Sequence, residues 1–245
     1  MELSPYNHLR TQVHYYSYNV TEYPFYSQIQ KIYNITEPLE KIHLLNVASI
    51  DGPTTFDNDT KTDYHKLYYK SPHYQSVISI YNNFIRSVIC PMFSEDIVVQ
   101  KEPSYRIGVP NNTVLGRLAN DDDQIIGLHC DGDYNHPPEE INFMLSITGQ
   151  KNTNSCYIET APMKGDFFPL KIEKGQFVSF YGNRCRHYSK VNVTNQTRIS
   201  FDFRVIPFSE YKEYETSAIH SGRKFSIGDY YKLYSSENDL VTHSF

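Results

Sequence analysis

The stretch RISFDFRV, residues 198–205, alternates without a break: Ile199, Phe201, Phe203 and Val205 fall on one side of an extended chain, and Arg198, Ser200, Asp202 and Arg204 on the other. A strand with one apolar and one charged face needs a core on one side and a polar chamber on the other, and a one-residue slip would exchange the two. Similar period-two runs occur at 97–100 (IVVQ), 105–109 (YRIGV), 124–129 (QIIGLH), 141–147 (INFMLSI), 155–159 (SCYIE) and 176–181 (QFVSFY), separated by Gly, Pro, Asn and Asp clusters. Many short punctuated strands predict a mainly β fold of the double-sheet jelly-roll kind, flanked by helices.

Upstream of these strands the pattern changes. Tyr74, Val77, Ile78, Tyr81, Ile85, Val88 and Ile89 recur at helical spacing between Ser71-Pro72, an N-cap with Pro at the first helical position, and Pro91. This predicts an amphipathic helix covering one face of a sheet. The polar segment Asp51–Thr62 reads as a loop, and no repeat or long linker interrupts the chain.

The 245 residues carry a net charge of −5 with 10 His, 22 Tyr and no Trp. No basic field exists to attract nucleic acid. The N-terminus lacks a basic and then apolar signal sequence, and no segment approaches a membrane span, so a cytoplasmic location is expected. Cys90, Cys130, Cys156 and Cys185 lack the CxxC spacing of a zinc site and are expected to be reduced. Six Asn-x-Ser/Thr sequons begin at Asn19, Asn34, Asn58, Asn111, Asn192 and Asn195, and an Asn- and Thr-rich composition accounts for them.

The chemistry concentrates in His129-Cys-Asp131 and the distant His187. Two imidazoles and one carboxylate can hold one octahedral Fe(II) on one face and leave three positions open. Alone, His-x-Asp is also an ordinary turn, since Asp131 begins the turn-like DGDYNH. A calcium loop fails because His136 stands at its sixth position and Asn142 at its twelfth. His136 is a competing ligand, ranked below His187 because it sits in a Pro-rich turn. Arg198 lies eleven residues after His187 and has Ser200 on the same strand face. A guanidinium and a hydroxyl so placed can grip a carboxylate. A cross-strand salt bridge is the plainer reading of a lone strand Arg, and Arg204 is the decoy of matching parity.

Taken in order over residues 103–207, these pieces resemble the iron(II)/2-oxoglutarate-dependent oxygenase superfamily. They are His129-x-Asp131, Tyr134, EINFMLSIT (140–148), ETAPMKGDFF (159–168), GNRCRH (182–187) and TRISFDFRV (197–205). Within that superfamily the likeness is to the small streptomycin-biosynthesis type, related to phytanoyl hydroxylases. The run MLSIT at 144–148 departs from it by lacking a proline.

The resemblance implies one oxygenase domain. It has a cupin-like double-stranded β-helix core (96–207), a helical or mixed α/β support (1–95) and a C-terminal extension (208–245). It implies Fe(II) on His129, Asp131 and His187, with 2-oxoglutarate reaching Arg198 and Ser200 and a further contact from Asn142. Dioxygen would be the co-substrate. Tyr134, Arg106 and Asn183 are expected on the substrate side. The expected reaction is oxidation, hydroxylation by default, of a polar small molecule of secondary-metabolite, sugar, aminocyclitol or amino-acid type. The alternative is a non-redox cupin-like epimerase, isomerase or metal-dependent binding protein, and a monomer and a homodimer are equally open.

Overall fold

A computed structural model describes residues 4–48, 62–111, 126–219 and 221–235. The loop expected at Asp51–Thr62, apart from Thr62, and the first two residues of the strand expected at 124–129 lie outside the described residues. The chain runs through α1 (His8–Thr11), β1 (His14–Ser17), α2 (Phe25–Tyr33), α3 (Asp63–Lys70) and α4 (Tyr74–Phe84). It continues through β2 (Ile97–Gln100), β3 (Ser104–Gly108), β4 (Ile126–His129), β5 (Ile141–Ser146), β6 (Cys156–Ile158) and β7 (Phe168–Pro169). The last strands are β8 (Gln176–Phe180), β9 (His187–Ser189), β10 (Arg198–Pro207) and β11 (Tyr231–Tyr234).

Among the described residues the strands form two antiparallel sheets. The larger has seven strands in the order β1-β8-β5-β10-β2-β11, with β3 also on β10, and the smaller has four in the order β4-β9-β6-β7. The large sheet is not confined to 96–207: β1 pairs with β8, and β11 of the C-terminal segment pairs with β2.

Strand β10 occupies the centre of the large sheet because it is the longest, pairing with β5 on one side and with β3 and then β2 on the other. Ile199, Phe201, Phe203 and Val205 join the main core with Phe25, Ile29, Tyr81 and Phe84 of α2 and α4. Phe203 stacks on Phe143 at 5.3 Å and meets Tyr81 edge-on at 5.5 Å. The opposite face turns to the smaller sheet, where Met144, Val178 and Phe180 meet Cys156 and Ile158. Being covered on both faces, β5 is buried at every position, Asn142 and Ser146 included.

The helix expected from Ser71 starts at Tyr74. Ser71 instead ends α3, and its Oγ accepts the His73 N–H at 3.2 Å. Beyond Phe84 the helix continues as a π-turn, Ile85–Ile89, and a 3₁₀ turn, Cys90–Met92, because Pro91 cannot donate to an α-helical ladder. All four cysteines are free thiols. No helix among the described residues is long and apolar enough to cross a membrane.

Two outcomes follow. Phe203→Ala is expected to lower the unfolding free energy by about 3–5 kcal/mol, since it empties a site walled by rings. Phe208→Ala, at a 45% exposed position, should change it by less than about 0.5 kcal/mol. Chemical denaturation of both variants checks this. His65, wedged between Thr62 Oγ1 at 2.7 Å and the Tyr105 carbonyl at 3.3 Å, is lowered from 6.5 to about 4 by burial and then by the Arg106 charge. Folded protein therefore refuses a proton that unfolded chain accepts, and this share of stability is lost as pH falls from 6.5 towards 4. Urea midpoints at pH 7 and 5 should differ less in His65→Gln than in the parent.

Candidate metal centre and adjoining cavity

Strand β4 ends on His129 and β9 begins on His187, and the two are paired directly across the small sheet. Each imidazole is turned by its own strand. His129 Nδ1 bonds the Gly127 carbonyl, and His187 Nδ1 bonds the Cys185 carbonyl at 3.1 Å. With Nδ1–H donating, Nε2 keeps its lone pair, the form in which a histidine ligates a metal. Both Nε2 atoms face Asp131 Oδ1, at 3.8 Å from His129 and 3.5 Å from His187. Burial, followed by the neighbouring His187, lowers His129 from 6.5 to about 4, so it is neutral at pH 7.

Asp131 opens a 3₁₀ turn (Asp131–Tyr134) fastened to residues 182–183: its N–H donates to the Gly182 carbonyl at 2.8 Å and Gly132 N–H to the Asn183 carbonyl at 3.1 Å. Its carboxylate is 2% exposed. Oδ2 accepts from Asn142 Nδ2 at 2.5 Å and from Arg204 Nη2 and Nε at 2.8 and 3.2 Å. Burial works to raise this carboxyl, but Arg204, with His187 and His136, overrides it and holds the group well below the usual carboxylate range. His129, Asp131 and His187 can thus bring one donor atom each within 4.8 Å of one another.

The lumen-facing side chains of both sheets enclose a narrow cavity of about 60 Å³ running from this triad to Arg198. Arg198 is 2% exposed; its Nη2 donates to Ser200 Oγ at 3.2 Å and contacts Met144 Sδ at 3.3 Å. Its Nε and Nη1 have no hydrogen-bond partner among the described residues. A buried guanidinium so poorly matched costs several kcal/mol, roughly, unless an anion meets it. Against His129 and Asp131 lies a wider cavity of about 390 Å³, lined by Glu102, Arg106, Tyr134, Arg223 and Tyr230 among others.

The structure brings His129, Asp131, His187, Asn142 and Arg198 to one cavity, and Arg106 lines both. Ser200 is buried beside Arg198. Tyr134 sets its ring 4.9 Å from that of His129. Asn142, expected on the cosubstrate, gives its amide N–H to Asp131. Asn183, expected near substrate, donates to the His136 and Pro137 carbonyls at 2.8 and 2.9 Å and lines neither cavity. Arg106 is tied to Asp202 at 2.9 Å.

His136 belongs to a second donor group with Asp131 and Glu140, its Nδ1 held by Glu140 Oε2 at 2.8 Å. Arg204, set aside in the sequence as a decoy, is the partner of Asp131. The outer wall formed by Glu102, Arg223 and Tyr230 had no signal in the sequence, because those residues sit in turns and a C-terminal segment without periodicity.

No family model matches the chain. It is 24% identical over 217 residues to the streptomycin biosynthesis protein StrG of Streptomyces griseus, covering 87% of this chain and 94% of that protein. A solved structure of the non-heme alpha-ketoglutarate dependent carbocyclase SnoK from nogalamycin biosynthesis shares the fold at a TM-score of 0.50, with 11% identity over 95% of this chain and 96% of that one. The likeness to StrG holds in sequence along nearly the whole chain, and the likeness to SnoK is one of fold.

One substitution tests how tightly the centre is built. A Cβ on Gly182 would lie 2.6–3.0 Å from the Asn142 amide, which is buried and pinned to Asp131. Gly182→Ala is therefore expected to cost about 1–3 kcal/mol by overpacking. A thermal melt reads the loss.

Proposed function

We propose that this protein is an Fe(II)- and 2-oxoglutarate-dependent oxygenase acting on a polar small molecule. One observation carries the reading: the triad and a buried, half-partnered Arg198 share one cavity. Two imidazoles and one ionised carboxylate suit Fe(II), and the two unmatched nitrogens of Arg198 suit a carboxylate at the far end. The two sheets correspond, on this reading, to the double-stranded β-helix of such enzymes. SnoK, which shares the fold, is named for its dependence on alpha-ketoglutarate, and StrG for streptomycin biosynthesis.

His129 Nε2, His187 Nε2 and Asp131 Oδ1 would hold the metal. Arg198, oriented by Ser200, would take the distal carboxylate of 2-oxoglutarate through paired N–H donors. When bound, iron, 2-oxoglutarate and dioxygen supply the oxidising chemistry, with succinate and carbon dioxide as by-products. The chain's own work is orientation and exclusion of water. The inner cavity is lined by the buried Phe180, Met144 and Cys156, which would limit water at the cosubstrate end. The outer cavity would receive the substrate, with Tyr134 and Arg106 at its boundary with the metal. Its mixture of charged pairs and tyrosines fits a polar secondary metabolite, sugar, aminocyclitol or amino-acid derivative, with hydroxylation the default outcome. A non-redox epimerase or sugar-binding protein on the same barrel leaves Arg198 with nothing to bind.

Turnover of 2-oxoglutarate to succinate under air with Fe(II) provides the test. The parent protein is expected to consume 2-oxoglutarate slowly without substrate, and His187→Ala to abolish consumption. Arg198→Ala should weaken 2-oxoglutarate binding roughly 10- to 100-fold while iron binding persists. Unchanged 2-oxoglutarate affinity in Arg198→Ala, or no consumption by iron-loaded parent protein, would contradict the proposal.

A further inference from the structure

We infer that Arg204, with Asn142, is a positioning device that restricts Asp131 to a single ligating oxygen; this rests on the reading of His129, Asp131 and His187 as the metal centre. The two oxygens of Asp131 have different surroundings. Oδ2 carries three N–H donors, two from Arg204 and one from Asn142, whereas Oδ1 faces the two imidazole Nε2 atoms. Rotation of the carboxylate, or tilting it to offer both oxygens, would break charge-assisted bonds of a residue that is 2% exposed.

The device is fixed from behind. Arg204 and Asn142 stand opposite each other in the β5–β10 register, so both donors reach the same oxygen from adjacent strands. Arg204 Nη1 is held by Gln100 Oε1 at 3.2 Å, and Gln100 Nε2 by the Glu102 carbonyl at 2.8 Å and Ser104 Oγ at 3.2 Å. Arg204 therefore has a partner for each side of its fork. Arg198, on the same strand face, has two nitrogens unmatched. One strand presents two buried arginines with different duties: one fixes a resident carboxylate and the other waits for an incoming one.

Counting coordination positions shows why this matters. Three monodentate protein ligands on an octahedral ion leave three places, enough for a chelating 2-oxo acid and dioxygen together. Carboxylates also bind hard cations through both oxygens. A bidentate Asp131 would leave two places, and the chelate would fill them. Saturating Oδ2 with protein donors keeps the third place open.

The probes are Fe(II) and 2-oxoglutarate, used anaerobically on parent protein and on Arg204→Met, Arg204→Lys and Asn142→Ala. Iron affinity is read by competition with a chromogenic chelator. The affinity of the iron-saturated protein for 2-oxoglutarate is read from the visible band of the chelate. Arg204→Met is expected to lose about 10- to 100-fold in iron affinity and, at saturating iron, to bind 2-oxoglutarate at least about tenfold more weakly. Arg204→Lys, which keeps the charge but not the fork, should fall between parent and Arg204→Met, with the melting temperature of its metal-free form close to the parent's.

If Arg204→Met does not fold, Arg204→Lys and Asn142→Ala decide the matter. Parent-like affinity for both probes in those two variants overturns the inference, as does a loss that merely tracks melting temperature. A parent protein that binds iron but not 2-oxoglutarate would refute the oxygenase reading. The iron affinities of the variants would still judge Arg204.

Discussion

Everything in the candidate site is arranged around one buried carboxylate. Asp131 is expensive to bury as an anion, and the chain meets that expense on one side only, with the Arg204 fork and the Asn142 amide on Oδ2. Oδ1 is left turned towards two imidazole Nε2 atoms. Such asymmetry is a poor way to stabilise a carboxylate for its own sake and a good way to present one lone-pair-bearing oxygen to a cation. At the other end of the inner cavity the imbalance is reversed: two nitrogens of a buried cation, Arg198, have no partner among the described residues. The cavity thus has a cation-seeking end and an anion-seeking end, which is what a metal with a dianionic chelating ligand would satisfy.

The fold makes this possible by drawing the side chains of the site from both sheets. The histidines come from the small sheet, where β4 and β9 place them side by side, and Arg198, Arg204 and Asn142 come from the large one. The large sheet can keep charged residues on its lumen face because the other face is committed to apolar packing under α2 and α4. Phe201 and Phe203 secure the position of Arg198, Ser200, Asp202 and Arg204, since moving either aromatic out of the core would move the charges with it. Stability of the helix-covered face and geometry of the site are one constraint read from two sides of β10.

What could be read in the sequence was whatever depends on periodicity within one segment. The parity of residues 198–205, the helix around Val77 to Phe84 and the strands carrying Ile97, Tyr105, Phe143 and Phe177 all follow from local alternation or helical spacing. His129, Asp131, His187 and Arg198 were legible as a constellation because their order and separations match a known pattern. Pairing across segments was not legible. Arg204 and Asn142 are sixty-two positions apart in sequence and meet only through the β5–β10 register. The donation of the Asn183 amide to the His136 and Pro137 carbonyls likewise joins segments that local spacing does not connect. Strands β1 and β11 escaped notice because each is four residues long and depends on an existing sheet edge for its hydrogen bonds.

The central claim is that one cavity holds a metal at the triad and a 2-oxo acid between that metal and Arg198. The most direct measurement is anaerobic titration of the metal-free protein with Fe(II) and then 2-oxoglutarate, followed in the visible region. A weak charge-transfer band that needs both components, vanishes in His187→Ala and requires much more 2-oxoglutarate in Arg198→Ala is the result this account predicts. A folded, iron-loaded protein that shows no band at any 2-oxoglutarate concentration would contradict it.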